Sequence, residues 1–194
     1  DDYHYEAVVI KASALIRSAA LNLGLSVPPA GERKSLEGIT VMQDRGDDLR
    51  RGSYDGGNED HSAVARYILR QISIERAKMQ GVTFDENNPP APDGKKRVYI
   101  IDSLRHPAEA NLLRRVYQEA FALVGIVCDP AVREKRIREN LFDRGDWGKK
   151  ATKDCVQEFL ERDEDAPDKF GQHVSDTFHE ADFFVDNSAE GESI

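Results

Sequence analysis

Arg97-Val98-Tyr99-Ile100-Ile101-Asp102-Ser103-Leu104-Arg105-His106-Pro107-Ala108-Glu109 decides how the chain folds. A short apolar run rich in β-branched residues ends on a carboxylate. An arginine follows three residues later, and a proline then stands where a helix can start. The spacing predicts a strand over 98–102 and a helix from Pro107. It brings Asp102 and Arg105 to the carboxyl end of that strand, where open α/β sheets bind their ligands. A planar guanidinium can fork onto a phosphate while a carboxylate orders a metal or a water, so the pair suits a nucleotide. The same residues have a plainer use, with Asp102 capping the next helix and Arg105 paired with Glu109.

Downstream, a helix over 107–119 places Leu112, Leu113, Val116, Tyr117 and Ala120 on an inner face. The run 121–128 is continuously apolar, as a strand covered on both faces should be. Asp129-Pro130 supplies an N-cap and a first-turn proline for a helix reaching about Asn140. A glycine-containing loop over 142–150 leads to a helix over 152–162 that buries Val156, Phe159 and Leu160. Phe170, Val174 and Phe178 share one face of a further helix, and 181–186 reads as the last strand.

Upstream, 81–96 is polar and proline-rich, an exposed and mobile connection or an insertion. Before it lies a helix over 60–79 with Val64, Tyr67, Ile68, Gln71 and Ile72 near one face. The segment 52–58 breaks the pattern. Leu36, Ile39, Met42 and Leu49 give a weak helical stripe that Gly46 interrupts. The loop 28–31, a helix over 13–23 ended by Gly24, and a strand over 5–10 complete the chain. Strands alternating with helices imply α/β architecture: a three-layer parallel sheet flanked by helices and joined by right-handed crossovers.

The bulk numbers describe a soluble globular protein. The chain has 194 residues, enough for one domain, with 39% hydrophobic and 32% charged residues. No apolar run approaches the roughly 20 residues that span a bilayer, and no signal-peptide pattern opens the chain, so no membrane role is expected. A net charge of -9 argues against general nucleic-acid binding. Cys128 and Cys155 form no C-x-x-C pair, which fits a reduced, cytoplasmic protein.

Several chemistries lack a signature. No G-x-S-x-G occurs, and His173 and His179, six apart, do not stack on one helix face. His4-Tyr5-Glu6 matches H-x-E without the P-C-x-x-C of a zinc deaminase, so no zinc site is expected in this chain. No G-x-x-x-x-G-K-[ST] phosphate loop occurs either; it precedes Asp1 or the chemistry has been given up. Arg133, Lys135, Arg136 and Arg138 crowd one helix, and Arg162 closes the next. Such arginines either converge on phosphates or stay solvated beside Glu134 and Glu139. The run 161–168 reads as an acidic, exposed helix end.

Taken together, these pieces resemble something specific. The element Ile101 to Glu109 is similar to the strand-Asp-x-x-Arg element of nucleoside monophosphate and dephospho-CoA kinases. That element, Leu112-Leu113-Arg114-Arg115-Val116-Tyr117, the run 121–127, Glu161-Arg162-Asp163-Glu164 and Lys169-Phe170-Gly171-Gln172-His173-Val174-Ser175-Asp176-Thr177-Phe178-His179-Glu180-Ala181-Asp182-Phe183-Phe184-Val185 jointly resemble the N-terminal P-loop, kinase-like domain of bacterial anti-phage deoxycytidylate deaminases. The resemblance covers 95–187 well and 1–80 more loosely.

It implies a P-loop NTPase or nucleotide kinase-like α/β domain over 1–187, with 188–194 opening a linker to a C-terminal deaminase domain. In that family the zinc-dependent deaminase converts deoxycytidine nucleotides to deoxyuridine nucleotides, depleting a DNA precursor that phage need. The zinc would sit in that second domain. Here the expectation is a regulatory nucleotide site, with magnesium as an optional companion of the nucleotide, and a homo-oligomeric assembly. Asp102 matches the metal- or water-ordering position and Arg105 the phosphate position. Arg136, Arg138 and Arg162 are weaker lid-type candidates, and no residue is expected to be catalytic. A nucleotide kinase trimmed of its phosphate loop is the rival reading.

Overall fold

In a computed structural model, residues 4–29, 35–52, 58–164 and 169–189 are described. The chain is a mixed α/β protein. Strand β1 (Glu6–Lys11) runs without a connecting residue into α1 (Ala12–Asn22), and α2 (Leu36–Arg51) and α3 (Ala63–Gln80) follow. Strand β2 (Arg97–Asp102), α4 (Pro107–Tyr117) and β3 (Val124–Val127) form the next unit. Helices α5 (Pro130–Leu141), α6 (Lys150–Glu164) and α7 (Val174–His179) then lead to β4 (Phe183–Asp186). None of these helices is long and apolar enough to cross a membrane.

The strands pair in parallel, as alternation predicts, but in two sheets of two: β1 with β2 and β3 with β4. The single three-layer sheet expected from the sequence is therefore corrected. Periodicity identifies a strand, but it does not say which strand lies beside it.

The β1–β2 register pairs Val8 with Tyr99 and Ile10 with Ile101 on one face. That face packs on Val64, Ala65, Ile68 and Ile72 of α3 and on Leu113 of α4. Each of the valine, leucine and isoleucine side chains so removed from water contributes roughly 1.5–3 kcal/mol before entropy is counted. The opposite face presents Val9, Val98 and Ile100 to solvent. Among thirteen exposed large apolar side chains in the described residues, nine lie on the four strands. Helices thus cover one side of this sheet, not both.

The second sheet departs further from expectation. Only Val124–Val127 of the 121–128 run is strand, and only Gly125 of those four is buried. Gly125 stands opposite Phe184 in the register, and a Cβ there would meet that ring at 2.8 Å and the Phe178 ring at 3.0 Å. Helix α4 ties this sheet in place. Arg114 pairs with Asp182 at 3.0 Å, and Asp182 accepts the Leu123 N–H at 2.7 Å.

Two helix expectations also change. Helix α2 runs unbroken through Gly46, which packs beside the Ile16 side chain of α1. Helix α7 spans Val174–His179 only, so Phe170 lies before it rather than on its face. The 81–96 connection is laid along α3 by Arg76 donating to the Pro90 carbonyl (3.1 Å) and Gln80 donating to Ala91 (2.8 Å). Of the expected loop 28–31, residues 30 and 31 lie outside the described residues. So do 53–57 of the break, and 165–168 and the side chains of 163–164 in the acidic run.

Candidate functional site

Parallel pairing sets the carboxyl ends of β1 and β2 side by side, with Lys11 opposite Asp102 in the register. Both side chains line a cleft of about 740 Å³. Helix α1 starts at its mouth. Its N-cap, Lys11, makes no side-chain cap, and no acidic residue stands in its first turn. Ala12, Ser13 and Ala14 line the cleft there, so the unsatisfied first-turn amides and the positive end of the helix face the same space. Arg17, one turn on, also lines it and donates to the Pro28 carbonyl.

The walls differ in character. Ile39 and Met42 of α2, Val64 of α3 and Phe159 of α6 supply apolar surface. Ser103, Arg105, Gln43 and Gln172 add polar surface to the cleft, and both glutamines are buried. Arg105 donates to Gln172 Oε1 at 2.8 Å, and Gln43 Nε2 lies 3.5 Å from the same oxygen.

Behind this polar surface sits a buried ion pair. Glu109 Oε1 accepts from Arg50 Nε (3.0 Å) and Nη2 (2.7 Å), while Oε2 accepts the Arg105 backbone N–H at 3.2 Å. Arg50 Nη1 donates to Asp47 (3.2 Å) and to the Phe170 carbonyl (3.2 Å). Arg50 is thus engaged on all three nitrogens and serves as a brace. Burial pushes the Asp47 carboxyl up to about 6, against the pull of Arg50, Arg162 and Arg51.

This arrangement corrects the helix cap in the plainer reading of the 102–109 segment. His106, not Asp102, caps α4: its Nδ1 accepts the Ala108 N–H at 3.1 Å. Glu109 takes the backbone amide of Arg105, which leaves the Arg105 guanidinium at the cleft with Gln172.

Asp102 and Arg105 line one cleft. Arg162 lies near it, on the helix that carries Phe159, and pairs with Asp44 of α2. Arg136 and Arg138 are elsewhere. Arg136 donates to the carbonyls of Asn187 (2.6 Å) and Ala189 (2.8 Å), and Arg138 pairs with Glu134 one turn back at 2.9 Å. They tie α5 to the end of β4 and to itself, as cations on a surface helix commonly do.

Lys11, Arg17, Gln43 and Gln172 were not singled out from the sequence. For Lys11 a signal existed, since it ends its strand as Asp102 ends the next. A second, shallower depression of about 480 Å³ lies against Glu139, Phe142, Asp143, Arg144 and Trp147 in the α5–α6 connection. It shares no residue with the cleft.

Among the described residues no group of three His, Cys, Asp or Glu side chains is arranged to hold a metal ion. Magnesium has different needs, commonly one or two carboxylates plus the oxygens of a bound phosphate. Asp102 fits that role, and the divalent charge would help hold a phosphate. No family model matches this chain, and no curated protein is significantly similar to it.

Proposed function

We propose that this chain binds a nucleotide at the carboxyl ends of β1 and β2 and acts as the sensing domain of an anti-phage deoxycytidine nucleotide deaminase. One observation carries the binding: Lys11, Asp102 and Arg105 meet the start of α1 around a single cleft of about 740 Å³. Cations and open amides there suit a phosphate. The apolar wall of Ile39, Met42 and Phe159 suits a sugar and a base, and the buried amides of Gln43 and Gln172 can read a base edge. The deaminase context rests on the sequence resemblance.

A sensing domain needs only a difference in affinity between two conformations, not turnover. Calorimetry with dCMP, dCTP and ATP, with and without Mg²⁺, tests the binding. The reading expects saturable heat with at least one of the deoxycytidine nucleotides. Silence with all of them at millimolar concentration overturns it.

The rival reading, a nucleotide kinase, draws on the Asp102-x-x-Arg105 element itself. It requires phosphoryl transfer from ATP to a nucleoside monophosphate, which sensing does not. The 194 residues hold no glycine-rich phosphate loop, so the sensing reading expects no transferred phosphate in a radiolabel assay of this chain.

A further inference from the structure

Three imidazoles meet behind the cleft, each at the start of a different helix. His61 lies in the turn before α3, His106 caps α4 and His173 precedes α7. His61 stacks on His106 and on Phe170, with ring centroids 5.0 Å apart in both cases, and His173 meets His106 edge-on at 5.3 Å. The Nδ1 atom of His61 is buried without a hydrogen-bond partner.

Bonding fixes the proton on His106. Its Nδ1 accepts the Ala108 N–H at 3.1 Å, so the ring hydrogen sits on Nε2, 3.3 Å from the Lys169 carbonyl. A second proton would point from Nδ1 at the Ala108 N–H, donor against donor, and the cap would be lost. The stack also shapes the cleft. The His173 N–H donates to the Arg105 carbonyl at 2.9 Å, and the neighbouring Gln172 holds the Arg105 guanidinium.

We propose that the His61–His106–His173 stack is an acid-sensitive junction, which holds the Arg105–Gln172 wall of the cleft while His106 is neutral and opens that wall when His106 takes up a proton.

Among the described residues, charged groups face the stack from several elements. Helix α2 contributes Arg50, Asp47 and Arg51, whose guanidinium lies 5.2 Å from the Phe170 ring centre. Glu59 pairs with Lys169, which also sits over Phe170. Asp60 is held by Ser62 and Arg66 beside His61, and Glu109 is engaged by Arg50 and the Arg105 amide. Asp176 of α7 lies 3.8 Å from His173 Nδ1.

Burial, then the Arg50 guanidinium, push His106 down to about 4; the Lys169 carbonyl pulls the other way, and the two neighbouring rings add to the lowering. The open form, with an ordinary value of 6.5, therefore binds a proton first. The closed form is fully favoured above about 6.5 and loses ground as pH falls toward about 4. Between pH 7 and 5 the opening equilibrium rises about twentyfold on those two values. Asp47 works against this trend, because its raised value makes the closed state take up a proton below about 6.

Amide hydrogen exchange on the whole chain tests the junction without a ligand, so its outcome is separate from the nucleotide reading. Protection factors at Ala108 and His173, corrected for intrinsic exchange, should fall at least about twofold from pH 7 to pH 5, the roughly twentyfold drive from His106 being offset up to about ninefold by Asp47. Ile68, in the core, should hold. His106→Asn keeps a capping oxygen but has nothing to protonate, and both amides should then stay level. The proposal is overturned if the wild-type amides do not respond, if Ile68 falls with them, or if His106→Asn falls like the wild type. Should that variant fail to fold, the wild-type series still decides between a local and a global response.

Discussion

Arg50 and Glu109 are the most buried charges that line the cleft, 3% and 1% exposed. Removing one member of such a pair strands the other, at a cost of about 3–5 kcal/mol. Glu109→Ala should therefore lower stability by that amount in urea unfolding and also loosen Arg105. Arg50→Met with Glu109→Leu should recover only part of the loss, since Asp47 and the Phe170 carbonyl then lose their Arg50 donor. Asp47 carries its own penalty. Its carboxyl is held up to about 6, above its ordinary 3.8, so the folded state gains stability as pH falls through that window and loses it on the way up. Asp47→Asn should raise the Tm above pH 6 and leave it nearly unchanged below pH 4, as calorimetric melts at several pH values would show. At this scale the sequence was half legible. The strand-ending Asp102 and the following Arg105 do reach the cleft, because strand-end position is a local property. Gln43, Arg50 and Gln172 come from segments distant in sequence, and no spacing rule links them to Arg105.

Helix ends show the same contrast between local and distant causes. Both α2 and α3 stop at a glycine with positive φ, Gly52 at 65° and Gly81 at 68°. Gly81 has open space around it, so Gly81→Ala should cost only about 1 kcal/mol of backbone strain. At Gly52 a Cβ would lie 2.1 Å from the Asn58 carbonyl oxygen, and backbone must move. Gly52→Ala should cost clearly more, and thermal melts of the two variants would rank them. Elements with local signals were readable: the Asp129-Pro130 start of α5 stands where its residues predict. The extent of β3 was not. Its apolar run resembles a strand buried on both faces, whereas Phe178 and Phe184 cover Gly125 alone.

At the level of the molecule, the bare strand faces separate two kinds of apolar residue. Ile68 is wholly buried, and Ile68→Ala should cost about 2–5 kcal/mol. Ile100 and Ile126 are 48% and 57% exposed, so Ile100→Thr and Ile126→Thr should change the chain's own stability by no more than about 0.5 kcal/mol. Urea unfolding of the three variants checks this. The class of the fold followed from the alternation of strands and helices. The division into two sheets did not, because strand neighbours are chosen by packing that no single segment encodes. The cleft joins these scales, since it exists only where β1, β2 and the helices around them converge. The most direct test is an NMR titration of the isotope-labelled chain with dCMP and Mg²⁺, followed residue by residue. The account predicts shifts centred on Ser13, Gly38, Ser103, Arg105 and Gln172, weakened at least tenfold in affinity by Arg105→Ala and untouched by Arg136→Ala. Shifts centred on Arg136 and Arg138, or an affinity indifferent to Arg105→Ala, would contradict it.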